Sequence, residues 1–314
     1  MKADYKTSVP QADLAESATE RQRLIQKWGF EPISMWWMQN VHNKTLDVIV
    51  EDSLAVGSYP EHNFSVRGGA LPQTPTIASE RFIKFYSEPG EMLGTPFAER
   101  LPHVLLGNYF GRNTYGQDLC KKFIDHDFAK VKRRVNDNRA LDSDGNQILV
   151  DTEKQLKVLL NGLSLEIRYG DSRHIDLPDN SWDFCINSPP YYSTITYDAV
   201  EEGQIGTGKN SRGEKQTYED FLNSLGDIYK ECLRLVKPGR FMVIMLNDFR
   251  MDKKFYCYHG DTMHKLEEIG WTPWDIVVYN LSVHPLHAIF TTQLDRDKHS
   301  AKCHEYGLVV RKPQ

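Results

Sequence analysis

The chain has 314 residues, of which 26% are charged and 40% hydrophobic, and its formal net charge is −5. That is ordinary globular composition, sufficient for one large domain with decoration or two modest ones. The acidic balance excludes a protein that coats nucleic acid with its whole surface, so any such contact needs a local basic patch.

The five cysteines (Cys120, Cys185, Cys232, Cys257 and Cys303) form no C-x-x-C pair, and their number is odd. A disulfide framework or a structural metal site is therefore not expected, and a reducing cytoplasm is. The opening "MKADYKTSVPQADLAES" has no apolar signal region. No stretch approaches the ~18 apolar residues that span a bilayer.

Residues 11–28 read as a helix with a sparse apolar face of Leu14, Leu24, Ile25 and Trp28. Residues 30–80 are irregular, rich in Pro, Gly, Ser and aromatics, with one strand-like run, "TLDVIVE". Trp36 and Trp37 read as packing residues. The expected organisation is an N-terminal arm, 1–75, packed on a main domain, 76–314.

From residue 76 elements alternate. A helix, "TIASERFIKFYS", precedes the turn "EPGE" and "MLGTPF". Helix "RLPHVLLGNYFG" leads to strand "NTYGQDL". A charged helix around 119–135 and a polar connection at 136–150 precede a helix, "TEKQLKVLLNGL". Strands "SLEIRYGD" and "WDFCINSPPYY" follow. Helix 217–236 stops at "KPGR", before strand "FMVIML". Helix "DTMHKLEEIG", strand "TPWDIVVYN" and strand "EYGLVVRK" close the chain. This alternation predicts an α/β protein with a mostly parallel sheet, its last two strands pairing antiparallel at the edge.

In open sheets of this kind ligands sit at the carboxyl ends of the strands. Asp118, Asp171, Ser188, Asn247 and Asp248 fall there. An acidic residue closing the second strand, as Asp118 does, commonly accepts hydrogen bonds from ribose hydroxyls, although acidic residues end many strands. Asp171 reads equally as a cap for "DSRHIDL".

Ser188-Pro189-Pro190-Tyr191 is more specific. Two prolines fix φ and hold the preceding residue extended. Neither has an N–H to satisfy, so the carbonyls of Ser188 and Pro189 can be aimed rigidly outward. Tyr191 adds a flat face. Two acceptors and an aromatic plane suit a planar ligand with an exocyclic amino group, and stacking there contributes ~1–3 kcal/mol. Cys185, inside the strand, reads as core.

At these residues the chain resembles the DNA amino-methyltransferases, the family that methylates N4 of cytosine or N6 of adenine. Its signature is Asp, Asn or Ser followed by Pro-Pro and Tyr or Phe. "GDSRHIDLPDNSWDFCINSPPYY" is similar to the whole family segment, and "QIGTG", the 217–250 stretch, "HKLEEIGWTPWDIVVYN" and "CHEYGLVVRK" to later ones. The resemblance covers roughly residues 76–312. It implies a Rossmann-like class I methyltransferase sheet and S-adenosylmethionine as methyl donor. Pro96 and Phe97 would flank the methionine and adenine, Asp118 would hold the ribose, and Asp171 would approach the adenine amino group. Ser188, Pro189, Pro190 and Tyr191 would receive a base flipped out of double-stranded DNA. A serine in the first position leans toward cytosine N4. A homodimer is compatible with the family.

The segment "EPGEMLGTPFAERLPHVLLGNYFGRNTYGQDL" keeps the family frame but departs inside it. Thr95 stands where the family has Asp, and Ala98-Glu99-Arg100 replace a glycine loop that lets backbone approach the donor. Three readings follow: the donor binds with the loop rearranged, a variant donor meets Arg100, or donor binding is lost and only recognition remains. A methyltransferase acting on RNA or on a small planar amine is a further class.

For DNA, "GQIGTGKNSRGEKQTY" offers Lys209, Arg212 and Lys215 in a glycine-rich basic loop, equally readable as a linker. "KVKRRVNDNR" offers Lys130, Lys132, Arg133 and Arg134, readable as a solvated helix face. His284 and His287 read as loop residues.

Overall fold

The computed structural model describes residues 35–36, 65–66, 75–98, 100–136, 145–160, 162–192, 195–196, 205–206, 215–280 and 304–314. All lie in one unit, Met35–Gln314. The helix expected at 11–28, the strand expected at 45–51 and Trp37 fall outside the described residues.

Ten strands form one sheet. In chain order they are β1 (Met35–Trp36), β3 (Met92–Thr95), β4 (Asn113–Asp118), β5 (Gln147–Asp151), β6 (Gln155–Leu160), β7 (Leu163–Tyr169), β8 (Trp182–Asn187), β10 (Val236–Leu246), β13 (Thr272–Asn280) and β14 (His304–Arg311). Short pairs lie outside it: β2 (Ser65–Val66) with β9 (Ile195–Thr196), and the hairpin of β11 (Phe249–Met251) and β12 (Lys254–Tyr256). The sheet order is β1-β13-β14-β10-β8-β3-β4-β7-β6-β5.

Strands β7, β4, β3, β8 and β10 run parallel. The chain starts in the middle of this set, winds outward one way through β4 and β7, then returns to β8 and winds the other way. That reversal makes β3 and β8 the topological switch point, where such sheets open a crevice at the strands' carboxyl ends.

β14 is antiparallel to both β10 and β13, and β1 pairs with β13. The antiparallel final pair is therefore present, but β14 is inserted beside β10 and β1 lies beyond β13. Trp36 is buried against Phe82, with ring centroids 4.5 Å apart, in keeping with its reading as a packing residue.

The helices follow from their apolar spacing. α1 (Thr76–Tyr86) buries Phe82, Ile83 and Tyr86; α2 (Pro102–Tyr109) starts on a proline, whose missing N–H costs a first turn nothing. α3 (Lys121–Asn136) covers β6 and β7 with Ile124, Phe128 and Val131. α4 (Tyr218–Leu235) presents Phe221, Leu225, Ile228, Tyr229, Cys232 and Leu235 at helical spacing. Each such side chain contributes roughly 1.5–3 kcal/mol on burial. α5 (Tyr258–Glu268) packs beside α4.

Neighbouring residues of a strand face opposite sides of the sheet. Phe184 stacks on Tyr86 of α1, with centroids 6.0 Å apart, while Cys185 lies in the core with Tyr229 and Cys232 of α4. So β8 is covered on both faces and its apolar run needs no alternation.

Two expectations fail between 136 and 163. "TEKQLKVLLNGL" is β6, not a helix, and the polar connection contains β5. The leucines at 156, 159, 160 and 163 fit a helical spacing, which is the source of the misreading. What decides is pairing. β6 is antiparallel to β7 and buries Leu156, Val158 and Leu160 in strict alternation with partly exposed Gln155, Lys157 and Leu159. β5 then covers the edge.

Candidate active site

The tetrapeptide follows β8 directly, at the switch point. Asn187, the last residue of β8, is fully buried and accepts a hydrogen bond from the Tyr229 hydroxyl at 3.1 Å. Its Nδ2 has no acceptor among the described residues. A buried amide donor left unmatched costs about 1–3 kcal/mol, so this atom marks a place for an acceptor. Pro189 is buried, while Ser188, Pro190 and Tyr191 are partly open. Among the described residues no hydrogen bond outside the sheet ladder reaches the carbonyls of Ser188 or Pro189. Pro190 differs, because its carbonyl accepts from the Tyr258 hydroxyl at 3.1 Å.

Tyr191 is gripped by aromatics. Phe249 meets it edge-on at 6.0 Å between centroids, and Tyr258 lies at 5.7 Å. Burial holds its phenol well above the usual range, with Glu305 adding to the effect. The hydroxyl end is thus sunk into the protein and stays neutral, while part of the residue remains accessible. Tyr192 turns the other way: its hydroxyl donates to the Gln216 carbonyl at 2.7 Å and its ring packs on Tyr218 and Phe221. The two tyrosines of "PPYY" therefore have separate jobs, one at the site and one in the core.

Ile205 and Gly206, from the sequence segment "QIGTG", return to the same place. Ile205 is buried, and Gly206 has φ +85°; a Cβ there would lie 2.9 Å from the Pro190 Cβ and 3.1 Å from the Tyr191 carbonyl oxygen.

The other strand endings gather around β3 and β4. Asp118, partly exposed, accepts from the Cys120 N–H at 2.9 Å through Oδ1, at the start of α3. Asp171 is clamped by its neighbour: Arg173 donates through Nε at 3.0 Å and through a terminal nitrogen at 2.5 Å. Burial pushes the Asp171 carboxyl up, but the Arg173 hydrogen bonds and charge bring it below its ordinary value. Phe97 packs edge-on against Tyr229 at 6.4 Å and stays partly open.

The loop after β3 is largely self-satisfied. The Pro96 carbonyl accepts from the Ser172 hydroxyl at 2.7 Å, the Ala98 N–H donates to the Gln117 carbonyl at 3.1 Å, and the Leu101 N–H donates to the Ala98 carbonyl at 2.7 Å. Arg100 and Leu101 are both left-handed, with φ near 61° and 60°. Such geometry in residues carrying a Cβ costs about 1–2 kcal/mol each. Ala98 sits over Gly116, where a Cβ would lie 2.8 Å from it. The missing loop glycines are thus partly offset by a glycine on the neighbouring strand.

For S-adenosylmethionine, the partly open Asp118 and Asp171, the Phe97 ring and the unmatched Asn187 amide suit a polar donor with an adenine ring. The Ala98 and Leu101 N–H groups, already engaged, contribute no donors in this arrangement.

Of the basic candidates, Lys209 and Arg212 fall outside the described residues, and Lys215 is exposed. Lys130 does not belong to a solvated face. It is 1% exposed and donates to the Arg100 carbonyl at 3.4 Å, so it supports the loop and cannot meet a phosphate. Lys132 pairs with Asp151 at 2.5 Å. Cys185 is fully buried core, as expected. A cleft of about 250 Å³ lined by Met92, Thr114, Ser164 and Ser181 opens at the opposite, amino ends of the strands, away from all these groups.

Sequence reasoning assigned no role to Asn187, Phe249 or Tyr258. For Asn187 the available signal was its place between an apolar run and the tetrapeptide. For Phe249 and Tyr258 there was none, because their approach to Tyr191 is purely tertiary. No helix among the described residues is long and apolar enough to cross a membrane.

Residues 182–314 match the family model described as DNA methylase, of the N6 and N4 type. The resemblance read in the sequence began earlier, near residue 76; the matched span starts at β8. No curated protein matches the chain. Among solved structures, a candidate DNA modification methylase from Thermus thermophilus, complexed with S-adenosyl-L-methionine, is 22% identical over 46% of this chain and 52% of its own, with a TM-score of 0.32. The chain thus spans about half the length of that protein. A SAM-dependent methyltransferase from Methanosarcina mazei is 10% identical over 77% of this chain and 99% of its own, with a TM-score of 0.43.

Proposed function

We propose that the protein, whose residues 182–314 match the DNA methylase family model, transfers a methyl group from S-adenosylmethionine to an exocyclic amino group in DNA, N4 of cytosine ahead of N6 of adenine. The observation that carries this reading is the Ser188–Tyr191 turn at the switch point: two carbonyls that meet no hydrogen-bond donor outside the sheet ladder among the described residues, beside an aromatic residue fixed by two others.

An exocyclic amine is a poor nucleophile because its lone pair is delocalised into the ring. Ser188 and the Pro189 carbonyl accept hydrogen bonds from its two N–H groups and favour a pyramidal nitrogen, and the one proton lost on methylation passes to solvent as the thioether leaves. Tyr191 holds the base plane. The base reaches this turn only when flipped from the duplex, at a cost of a few kcal/mol. Pro96, Phe97, Asp118 and Asp171 hold the donor, which supplies an electrophilic methyl on sulfonium. What remains for the protein is orientation and exclusion of water. Lys209, Arg212 and Lys215 meet phosphates, residues 1–75 act as an arm on the 76–314 domain, and the protein works in the cytoplasm, as a homodimer where two copies meet. The serine at 188 is what favours cytosine.

A second reading has its own observation. The engaged Ala98 and Leu101 N–H groups favour a homologue that recognises DNA without binding the donor. Two measurements separate them. Calorimetry with S-adenosylmethionine, DNA present, is expected to show binding; none at millimolar donor removes the enzyme reading. Mass spectrometry of nucleosides from expressing cells is expected to show N4-methylcytosine. Ser188→Ala, which keeps the backbone carbonyl and removes only the hydroxyl, should lower that level by about 10-fold, the scale of one neutral hydrogen bond. Tyr191→Ala should lower it about 10- to 100-fold through lost stacking. Unchanged levels in both variants would make the site assignment wrong.

A further inference from the structure

Beside the tetrapeptide lies a cluster with no part in methyl transfer. Asp248 follows β10, and Cys257 and His259 bracket the start of α5. One oxygen, the thiol sulfur and the imidazole Nδ1 lie within 4.8 Å of one another. Asp248 Oδ1 is 2.7 Å from His259 Nδ1, and Cys257 Sγ is 3.8 Å from the same nitrogen. Asp248 is buried, and Cys257 is exposed.

Two ordinary accounts explain only part of this. Asp248 also accepts the His259 backbone N–H at 3.1 Å, as a carboxylate at the first turn of a helix does. That accounts for the carboxylate and not for the thiol. A nucleophilic thiol with a histidine base would use both ring nitrogens, one toward sulfur and one toward the carboxylate. Here sulfur and carboxylate converge on one nitrogen. Convergence on a point is the geometry of ligation.

We propose that Asp248, Cys257 and His259 bind a divalent transition-metal ion, Zn²⁺ by the chemistry of the set. Thiolate, imidazole and carboxylate together suit a borderline ion, and three protein ligands leave a fourth position open. With ordinary zinc bond lengths, neighbouring ligand atoms stand about 3.3–3.7 Å apart. The carboxylate and imidazole must therefore separate slightly and the thiol draw in, which its exposed position allows. The imidazole is already oriented: its ring stacks on Tyr306 at 4.1 Å between centroids, and the Tyr306 hydroxyl is 3.0 Å from His304 Nε2. Supporting contacts of this kind fix a ligand's direction.

The ligands lie at the two ends of one hairpin. Asp248 immediately precedes β11, and Cys257 immediately follows β12. Phe249 and Tyr258, the next residue at either end, are the rings that grip Tyr191. The ion ties together the base of the hairpin that positions this ring. The spacing Cys-x-His, without a C-x-x-C pair, is why cysteine counting did not find it. The inference rests on none of the methyl-transfer reading.

The test uses the full chain, reduced and freed of metal. Addition of Co²⁺ is expected to give one bound ion per chain with thiolate-to-cobalt charge-transfer absorption, displaced by Zn²⁺. Cys257→Ser should abolish that absorption, while Cys120→Ser, a buried cysteine elsewhere, should keep it. In the unsubstituted chain Zn²⁺ should slow alkylation of Cys257 at least ten-fold, read by mass spectrometry. The proposal is overturned if no thiolate–cobalt band forms, if the band survives in Cys257→Ser, or if Zn²⁺ leaves alkylation of Cys257 unchanged; the cluster is then a capping network alone.

Discussion

Gly206 shows how much one residue fixes at the site. Its positive φ and the 2.9 Å that would separate a Cβ from Pro190 leave no room for a side chain. Gly206→Val should lower stability by about 1–3 kcal/mol, since it adds backbone strain to overpacking. Thermal denaturation measures this, and an unchanged midpoint would mean the segment does not press on Pro190. At this scale the sequence was informative where chemistry is local. Pro-Pro-Tyr announces a rigid turn with an aromatic, and that is what stands at the end of β8. It was uninformative where a partner decides. Nothing in "GDSR" says that Arg173 folds back on Asp171 rather than leaving the carboxylate open. Nothing in "KVKRR" says that Lys130 turns inward to the Arg100 carbonyl.

Among elements, α4 is the clearest case of local instruction. Thr217 caps it: its side chain accepts the Asp220 N–H, and the Asp220 carboxylate accepts the Thr217 N–H in return. The first helical residue, Tyr218, then packs on Tyr192 and Phe249 beside the tetrapeptide. Thr217→Ala should destabilise the protein by about 1 kcal/mol, seen as a lower urea midpoint at unchanged slope. A changed slope would point instead to a loss of cooperativity around α4. The same logic explains the failure at β6. Its leucines fit a helical stripe as well as an alternating one, and no cap or glycine settled the matter. Antiparallel pairing to β7, a contact the local pattern does not contain, chose the strand. Long elements with caps were legible; a short strand whose period is ambiguous was not.

For the whole molecule, the buried histidine of α2 sets an expectation for pH. His103 is 2% exposed, and neither ring nitrogen has a hydrogen-bond partner among the described residues. Burial pushes its pKa down from 6.5 to about 3. The folded chain therefore keeps it neutral where the unfolded chain binds a proton. Its contribution is fully present above the unfolded pKa and is lost as pH falls from about 6.5 toward about 3. Between pH 6.5 and about pH 5 the loss is roughly 2 kcal/mol, at 1.36 kcal/mol per unit. The carboxylates act lower. Asp171 and Glu231 both lie below their ordinary values, so their stabilisation fades only as pH falls through the carboxylate range. Glu305 is the exception: burial holds its carboxyl above its ordinary value, so its effect extends upward in pH and has the opposite sign, and the histidine is read as the difference between the unsubstituted chain and a variant lacking the imidazole. Urea titrations at pH 7 and pH 5 should show the stability drop in the unsubstituted chain and a much smaller one in His103→Leu. Equal drops in both would mean that α2 opens readily enough for the imidazole to charge. The carboxyl-end crevice would then rest on a looser support than the packing of α2 against β4 implies.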